Sequence, residues 1–142
     1  MQYLHTMLRV RDLDLALAFW CTALGLVETR RTAHDAGRFT LVFLRAPGDA
    51  AGGPELELTH NWDQTGPYPG GRNFGHIALA VDDIYATCAR LEAHGVQVLR
   101  PPRDGRMAFV RSPDEQSVEL LQRGPPRAAA EPWASRPNVG TW

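Results

Sequence analysis

Residues 4–10, LHTMLRV, and residues 75–81, GHIALAV, decide the fold. Each is a short, largely apolar run with a histidine second, and each leads into aspartates that can cap a helix, Asp12 or Asp14 and Asp82 or Asp83. Laying His5 on His76 is a shift of 71 residues (76 − 5), which also pairs Val10 with Val81, Asp12 with Asp83 and Leu13 with Ile84. The helix-stopping Gly25 and Gly95 follow one deletion later, 70 apart (95 − 25). Leu56-Glu57-Leu58 then matches Val118-Glu119-Leu120 at a shift of 62 (119 − 57), the shorter turns of the second copy absorbing the difference.

Working outward, hydrophobic periodicity predicts strands over 4–10, 26–31, 39–45 and 55–61 around a helix through about Leu24. The second copy predicts strands over 74–81, 96–99, 107–111 and 117–122 around a helix ending near His94. Two βαβββ modules result. Module one spans 1–62, a Gly/Pro-rich linker spans 63–73, and module two spans 74–123, all within one domain. The fold class is α+β. Neither module can cover its own sheet on both faces, so modules, or two chains, must pack together. A Pro/Ala/Arg-rich tail, 124–142, is expected to be irregular, with Trp133 and Trp142 able to dock on the body or on a partner subunit.

At 142 residues, 44% hydrophobic and 22% charged, the chain is long enough for a real core. Its net charge of −1 and scattered arginines argue against nucleic acid as a partner. All 15 basic residues are arginine, which excludes lysine-based Schiff-base or general-base chemistry. Cys21 and Cys88 form no CxxC and suit buried thiols in a reducing cytoplasm. The N-terminus does not read as a signal peptide, and no apolar run is long enough to span a membrane.

The candidate chemistry lies in His5, Glu57, His76 and Glu119, one His and one Glu per module. A charge or imidazole in an apolar strand is costly unless something satisfies it. Two imidazoles and two carboxylates make a four-ligand set for a divalent transition metal. Strand alternation places Met7 and Arg9 on the face of His5, and Thr59 and Asn61 on that of Glu57. Ala78 and Ala80 share the face of His76, and Ser117 and Leu121 that of Glu119. This resembles the lining of a substrate cavity more than a packed core. His34, His60 and His94 lack such partners.

The runs HTMLRV, LELTHNW, GHIALAV and VELL resemble those of glyoxalase I, in the vicinal-oxygen-chelate superfamily, over residues 4–122. The resemblance implies paired modules forming an eight-stranded open mixed sheet, or half-barrel, around one metal held by His5, Glu57, His76 and Glu119. It implies that Arg9, Asn61 and Arg72 bind the glutathione moiety, and that the site forms between two subunits of a homodimer. It favours nickel or cobalt, with zinc admitted. The implied reaction converts the methylglyoxal–glutathione hemithioacetal to S-D-lactoylglutathione, with Glu119 as principal base and Glu57 as ligand and second acid/base. The competing readings are another metalloenzyme of the superfamily, such as an extradiol dioxygenase or thiol transferase, and a non-catalytic small-ligand binder. Against the family pattern, the turn before Glu119 reads Ser112-Pro113-Asp114-Glu115-Gln116-Ser117 and lacks its usual glycine, and Ser117 replaces a larger side chain. With no lysine to contact glutathione, Arg100 and Arg106 are candidates to replace it. The long tail is atypical.

Overall fold

A computed structural model describes residues 1–142. The chain divides into two compact units, Met1–Pro69 and Gly70–Trp142. In the first, β1 (His5–Arg9) leads to α1 (Leu13–Leu17), followed by β2 (Val27–His34), β3 (Phe39–Arg45) and β4 (Glu55–Asn61). In the second, β5 (His76–Val81) leads to α2 (Ile84–Ala93), then β6 (Val98–Arg100), β7 (Met107–Arg111) and β8 (Ser117–Gln122). The eight predicted strands form two mixed four-stranded sheets, ordered β1-β4-β3-β2 and β5-β8-β7-β6. Each sheet has one parallel pair, first strand with fourth, and is otherwise antiparallel.

The capping alternatives resolve the same way in both units. Asp12 accepts from the Leu15 N–H, and Asp83 from those of Tyr85 and Ala86. Cap geometry satisfies amides the first turn leaves open. The first helix reaches Leu24 as predicted, but only its first turn is α; Ala18–Ala23 is π-helical. This wider winding accompanies the full burial of Trp20. The hairpin before Phe39 is tighter than expected, so β2 runs on to pair His34 with Phe39.

One face of each sheet is apolar and buried. Leu8, Val10, Val42, Leu44, Leu56 and Leu58 are buried in unit one, as are Ala16, Phe19, Trp20 and Ala23 of its helix. In unit two Val98, Ala108, Val110, Val118 and Leu120 are buried, with Ile84, Cys88 and Leu91 of α2. Because side chains alternate, burying these residues turns His5, Glu57, His76 and Glu119 to the other face.

The tail contains no helix or strand, yet it is docked. Trp133 is buried, the Tyr85 hydroxyl donates to the Ala128 carbonyl, and Arg127 and Arg136 pair with Asp83 and Glu92. No helix is long and apolar enough to cross a membrane.

Candidate active site

On β1 and β4 the parallel register sets His5 beside Glu55 and Met7 beside Glu57. His5 and Glu57 are thus diagonal neighbours on one face, and His5 Nε2 lies 2.9 Å from Glu57 Oε2. Unit two repeats the arrangement: His76 is beside Ser117, Ala78 beside Glu119, and His76 Nε2 lies 3.1 Å from Glu119 Oε2. The histidines are 40% and 44% exposed and the glutamates 12% and 16%, so each pair is reachable from solvent on its imidazole side. Nitrogen and oxygen donors that converge on one open face suit a borderline divalent ion. Within neither unit does a third His, Cys, Asp or Glu join the pair. Each module therefore holds one isolated His–Glu pair.

Each histidine also meets the edge of a phenylalanine. Phe43 lies 5.8 Å from His5 and Phe109 lies 5.4 Å from His76, centroid to centroid, both nearly perpendicular. Phe43 is the register partner of Glu57, and Phe109 that of Glu119. The repeat hides this because the phenylalanines sit in strands of different length, FTLVFLR and MAFVR; aligning those strands on their glutamate partners would have found it.

β4 carries two carboxylates on the face of His5. Glu55 is committed elsewhere: it accepts from the Thr29 hydroxyl at 2.6 Å and pairs with Arg30. The Thr29 hydrogen bond first, and then Arg30, hold its carboxyl below the usual range. Glu57 is the one left to His5. The two site carboxylates differ in one neighbour. The Thr59 hydroxyl donates to Glu57 Oε1 at 3.4 Å, whereas the corresponding position on β8 is Leu121.

Unit one extends its polar face past the pair. Arg9 Nη1 and the Tyr68 hydroxyl both donate to Asn61 Oδ1, at 2.7 and 3.2 Å. They line a cavity of about 380 Å³ with Arg38, Asp63 and Gln64. Asp63 holds Arg38 through a two-pronged ion pair, 2.6 Å on each prong. The Asn61 carbonyl oxygen is thus occupied twice. Sequence reasoning found Arg9 and Asn61 but not Tyr68, whose linker position carries no periodic signal. Arg72 lies exposed in the loop before β5. Of the two candidate replacements for lysine, Arg100 is engaged by Asp104 and the Met107 carbonyl, while Arg106 is exposed.

The chain has known relatives. The profile of the glyoxalase/bleomycin resistance protein/dioxygenase superfamily matches residues 2–120. The chain belongs to that superfamily. A probable lactoylglutathione lyase of Synechocystis is 44% identical over 84% of this chain and 93% of its own length. A lactoylglutathione lyase of Neisseria meningitidis is 44% identical over 87% and 91%. Among solved structures, the trypanothione-dependent glyoxalase I of Leishmania major superposes with a TM-score of 0.77 at 36% identity, covering 86% of each chain.

The turn that precedes Glu119 holds a residue in the left-handed region. Glu115 adopts φ 66°, the left-handed region where a side chain is strained. Ser112 closes the turn: its N–H donates to the Gln116 carbonyl at 2.9 Å, and its hydroxyl accepts from the Asp114 and Gln116 amides. Glu115 is further tied to Arg111 at 3.0 Å. The backbone conformation a glycine would favour is thus kept without the glycine.

Proposed function

We propose that this chain is a metal-dependent lactoylglutathione lyase, a glyoxalase I. Its substrate is the hemithioacetal that glutathione forms with methylglyoxal, and its product S-D-lactoylglutathione. The observation that carries the reading is the matched pair of half-sites, His5–Glu57 and His76–Glu119, built on the same register in both modules. Nickel or cobalt is the favoured ion, and the same donors admit zinc. A metal in this position supplies Lewis acidity to the substrate oxygens.

The reaction moves hydrogen within one molecule and needs no electron acceptor. A carboxylate removes the proton from the carbon bearing sulfur, and an acid returns one to the neighbouring carbon, which becomes the hydroxyl carbon as the first becomes the thioester. We assign removal to Glu119: its strand neighbour Leu121 offers its second oxygen no donor, whereas the Thr59 hydroxyl already holds Glu57 Oε1. Glu57 serves as ligand and second acid/base. Arg9 and the amide of Asn61 bind the carboxylate-bearing thiol moiety, with Arg72 and Arg106 as further cations.

Because each module supplies two donors, we further propose a homodimer in which a site takes one pair from each chain. The free thiols Cys21 and Cys88 fit a reducing cytoplasm. Hybrid dimers test both proposals. His5→Ala and His76→Ala should each lose metal and thioester formation, read as rising ultraviolet absorbance. Refolded together at equal ratio, they should regain about a quarter of wild-type activity, since half the dimers are hybrids with one intact site. No regain places each site within one chain. Absence of wild-type turnover with nickel, cobalt or zinc rejects the lyase reading.

A further inference from the structure

The tail reaches the candidate active-site face of unit two. Arg103 Nη1 donates to the Arg136 carbonyl and to Asn138 Oδ1, each at 2.8 Å. The Val139 N–H donates to the carbonyl of Leu99, the residue skipped by the β6–β7 register, at 2.8 Å. Arg111 Nη2 donates to the Thr141 carbonyl at 2.8 Å. These anchors lay the Trp142 ring against Phe109, with centroids 6.0 Å apart and planes inclined by 30°. Phe109 in turn meets His76 and pairs in register with Glu119.

The two modules explain why the ring fits there. In unit one, the Arg30 guanidinium lies 3.5 Å above the Phe43 centroid and covers that ring. Its counterpart Arg100 holds the same register position against Phe109 but is drawn away to Asp104 and the Met107 carbonyl. Trp142 packs against Phe109 instead. One module thus presents a polar face, with Arg9, Asn61 and the Arg30–Glu55 ion pair. The other presents a more apolar one, with Ala78, Ala80, Leu121 and Phe109 on the face of Glu119 and the small Ser117 in register with His76. The anionic thiol moiety suits the first face and the aldehyde-derived substituent the second.

We propose that Trp142 is a specificity-determining residue: an aromatic wall beside His76–Glu119 that packs against the substituent of the 2-oxoaldehyde and favours aryl over methyl groups. The proposal rests on the lyase reading. Arg111, which also holds Glu115, joins the altered turn to this wall and is a positioning residue.

The test compares wild type with Trp142→Ala and Trp142→Phe. One readout is the ratio of kcat/KM for phenylglyoxal- and methylglyoxal-derived hemithioacetals. The other is the ratio of Kd values for the unreactive thioethers S-methylglutathione and S-benzylglutathione, by calorimetry. Alanine should cut both ratios about fivefold, the loss of one stacking partner, and phenylalanine should retain most of each. Equal ratios in all three proteins overturn the proposal and leave the lyase reading intact. A wild type that turns over neither substrate, yet keeps a Trp142-dependent preference for the benzyl thioether, overturns the lyase reading and leaves Trp142 lining the site. A tail with only a structural role would lower Tm without moving either ratio, which also overturns the proposal.

Discussion

Replacing Leu121 by threonine should weaken the enzyme by giving its base a hydrogen-bond donor. Unit one shows what that donor does: the Thr59 hydroxyl, two residues along the strand from Glu57, reaches Glu57 Oε1 at 3.4 Å. Leu121 stands in the same relation to Glu119 and shares its face, so Leu121→Thr copies the contact. A hydrogen bond to a charged group contributes about 1.5–3 kcal/mol at good geometry. At this length about 1 kcal/mol is the appropriate figure, or roughly a fivefold fall in kcat. Leu121→Val is the control, since valine matches threonine in shape and lacks only the hydroxyl. The assay is steady-state thioester formation at saturating metal. Leu121→Thr should be about fivefold slower than Leu121→Val with KM unchanged, and Thr59→Val should stay within about twofold of wild type. Equal rates for the two Leu121 variants, together with a several-fold change for Thr59→Val, would transfer the base from Glu119 to Glu57 and refute the reasoning.

Four further outcomes follow from the turns and the thiols. Glu115 sits at φ 66° with its side chain 74% exposed, so its ion pair with Arg111 contributes little; Glu115→Gly should exceed Glu115→Val in stability by about 2 kcal/mol, roughly 5 °C in Tm, and equal melting would show the turn unstrained. At Gly105, φ 64°, an added Cβ would fall 2.0 Å from the Arg127 carbonyl oxygen, so Gly105→Ala should cost about 2–4 kcal/mol in a denaturant titration, and a loss below about 0.5 kcal/mol would contradict the close approach. Burial pushes the Cys88 thiol up to about 12, whereas Cys21 is raised less and is partly exposed. Native protein should therefore label first at Cys21, with Cys88 about a thousandfold slower than a free thiol at pH 8. The raised Cys88 value also stabilises the fold fully below pH 9, and that contribution should fade as pH rises toward 12; Cys88→Ala should lose this alkaline component of the melting curve, and an unchanged alkaline slope would count against it.

How much of this was legible in the sequence depends on how local each signal is. The strands Phe39–Arg45, Glu55–Asn61, Met107–Arg111 and Ser117–Gln122 were predicted to the residue, because dense apolar residues and flanking turn chemistry fix both ends. The helix over 13–24 was legible as a helix but not as π-helical from Ala18, since that winding answers to the packing of Trp20 rather than to periodicity. Alternation alone put His5 and Glu57 on one face. It could not choose Glu57 over Glu55, which shares that face and is a closer register partner of His5. That choice is made by Thr29 and Arg30 on another strand.

The less legible features are those where the duplication fails. Near-identical half-sites, 2.9 and 3.1 Å apart in their donors, cannot by themselves assign different roles to two glutamates. The roles must come from neighbours the repeat does not conserve between its copies: Thr59 against Leu121 beside the carboxylates, and Arg30 against Trp142 over the phenylalanine rings. Of these, only the first pair can be read by aligning the modules. The second requires the tail to cross β6 and arrive at Phe109, a contact carried by Arg103, Leu99 and Arg111 in no sequential pattern. Symmetry in the backbone thus builds two matched His–Glu pairs, and broken symmetry in the side chains sets Arg9 on Asn61 in one module and Trp142 against the ring that meets His76 in the other.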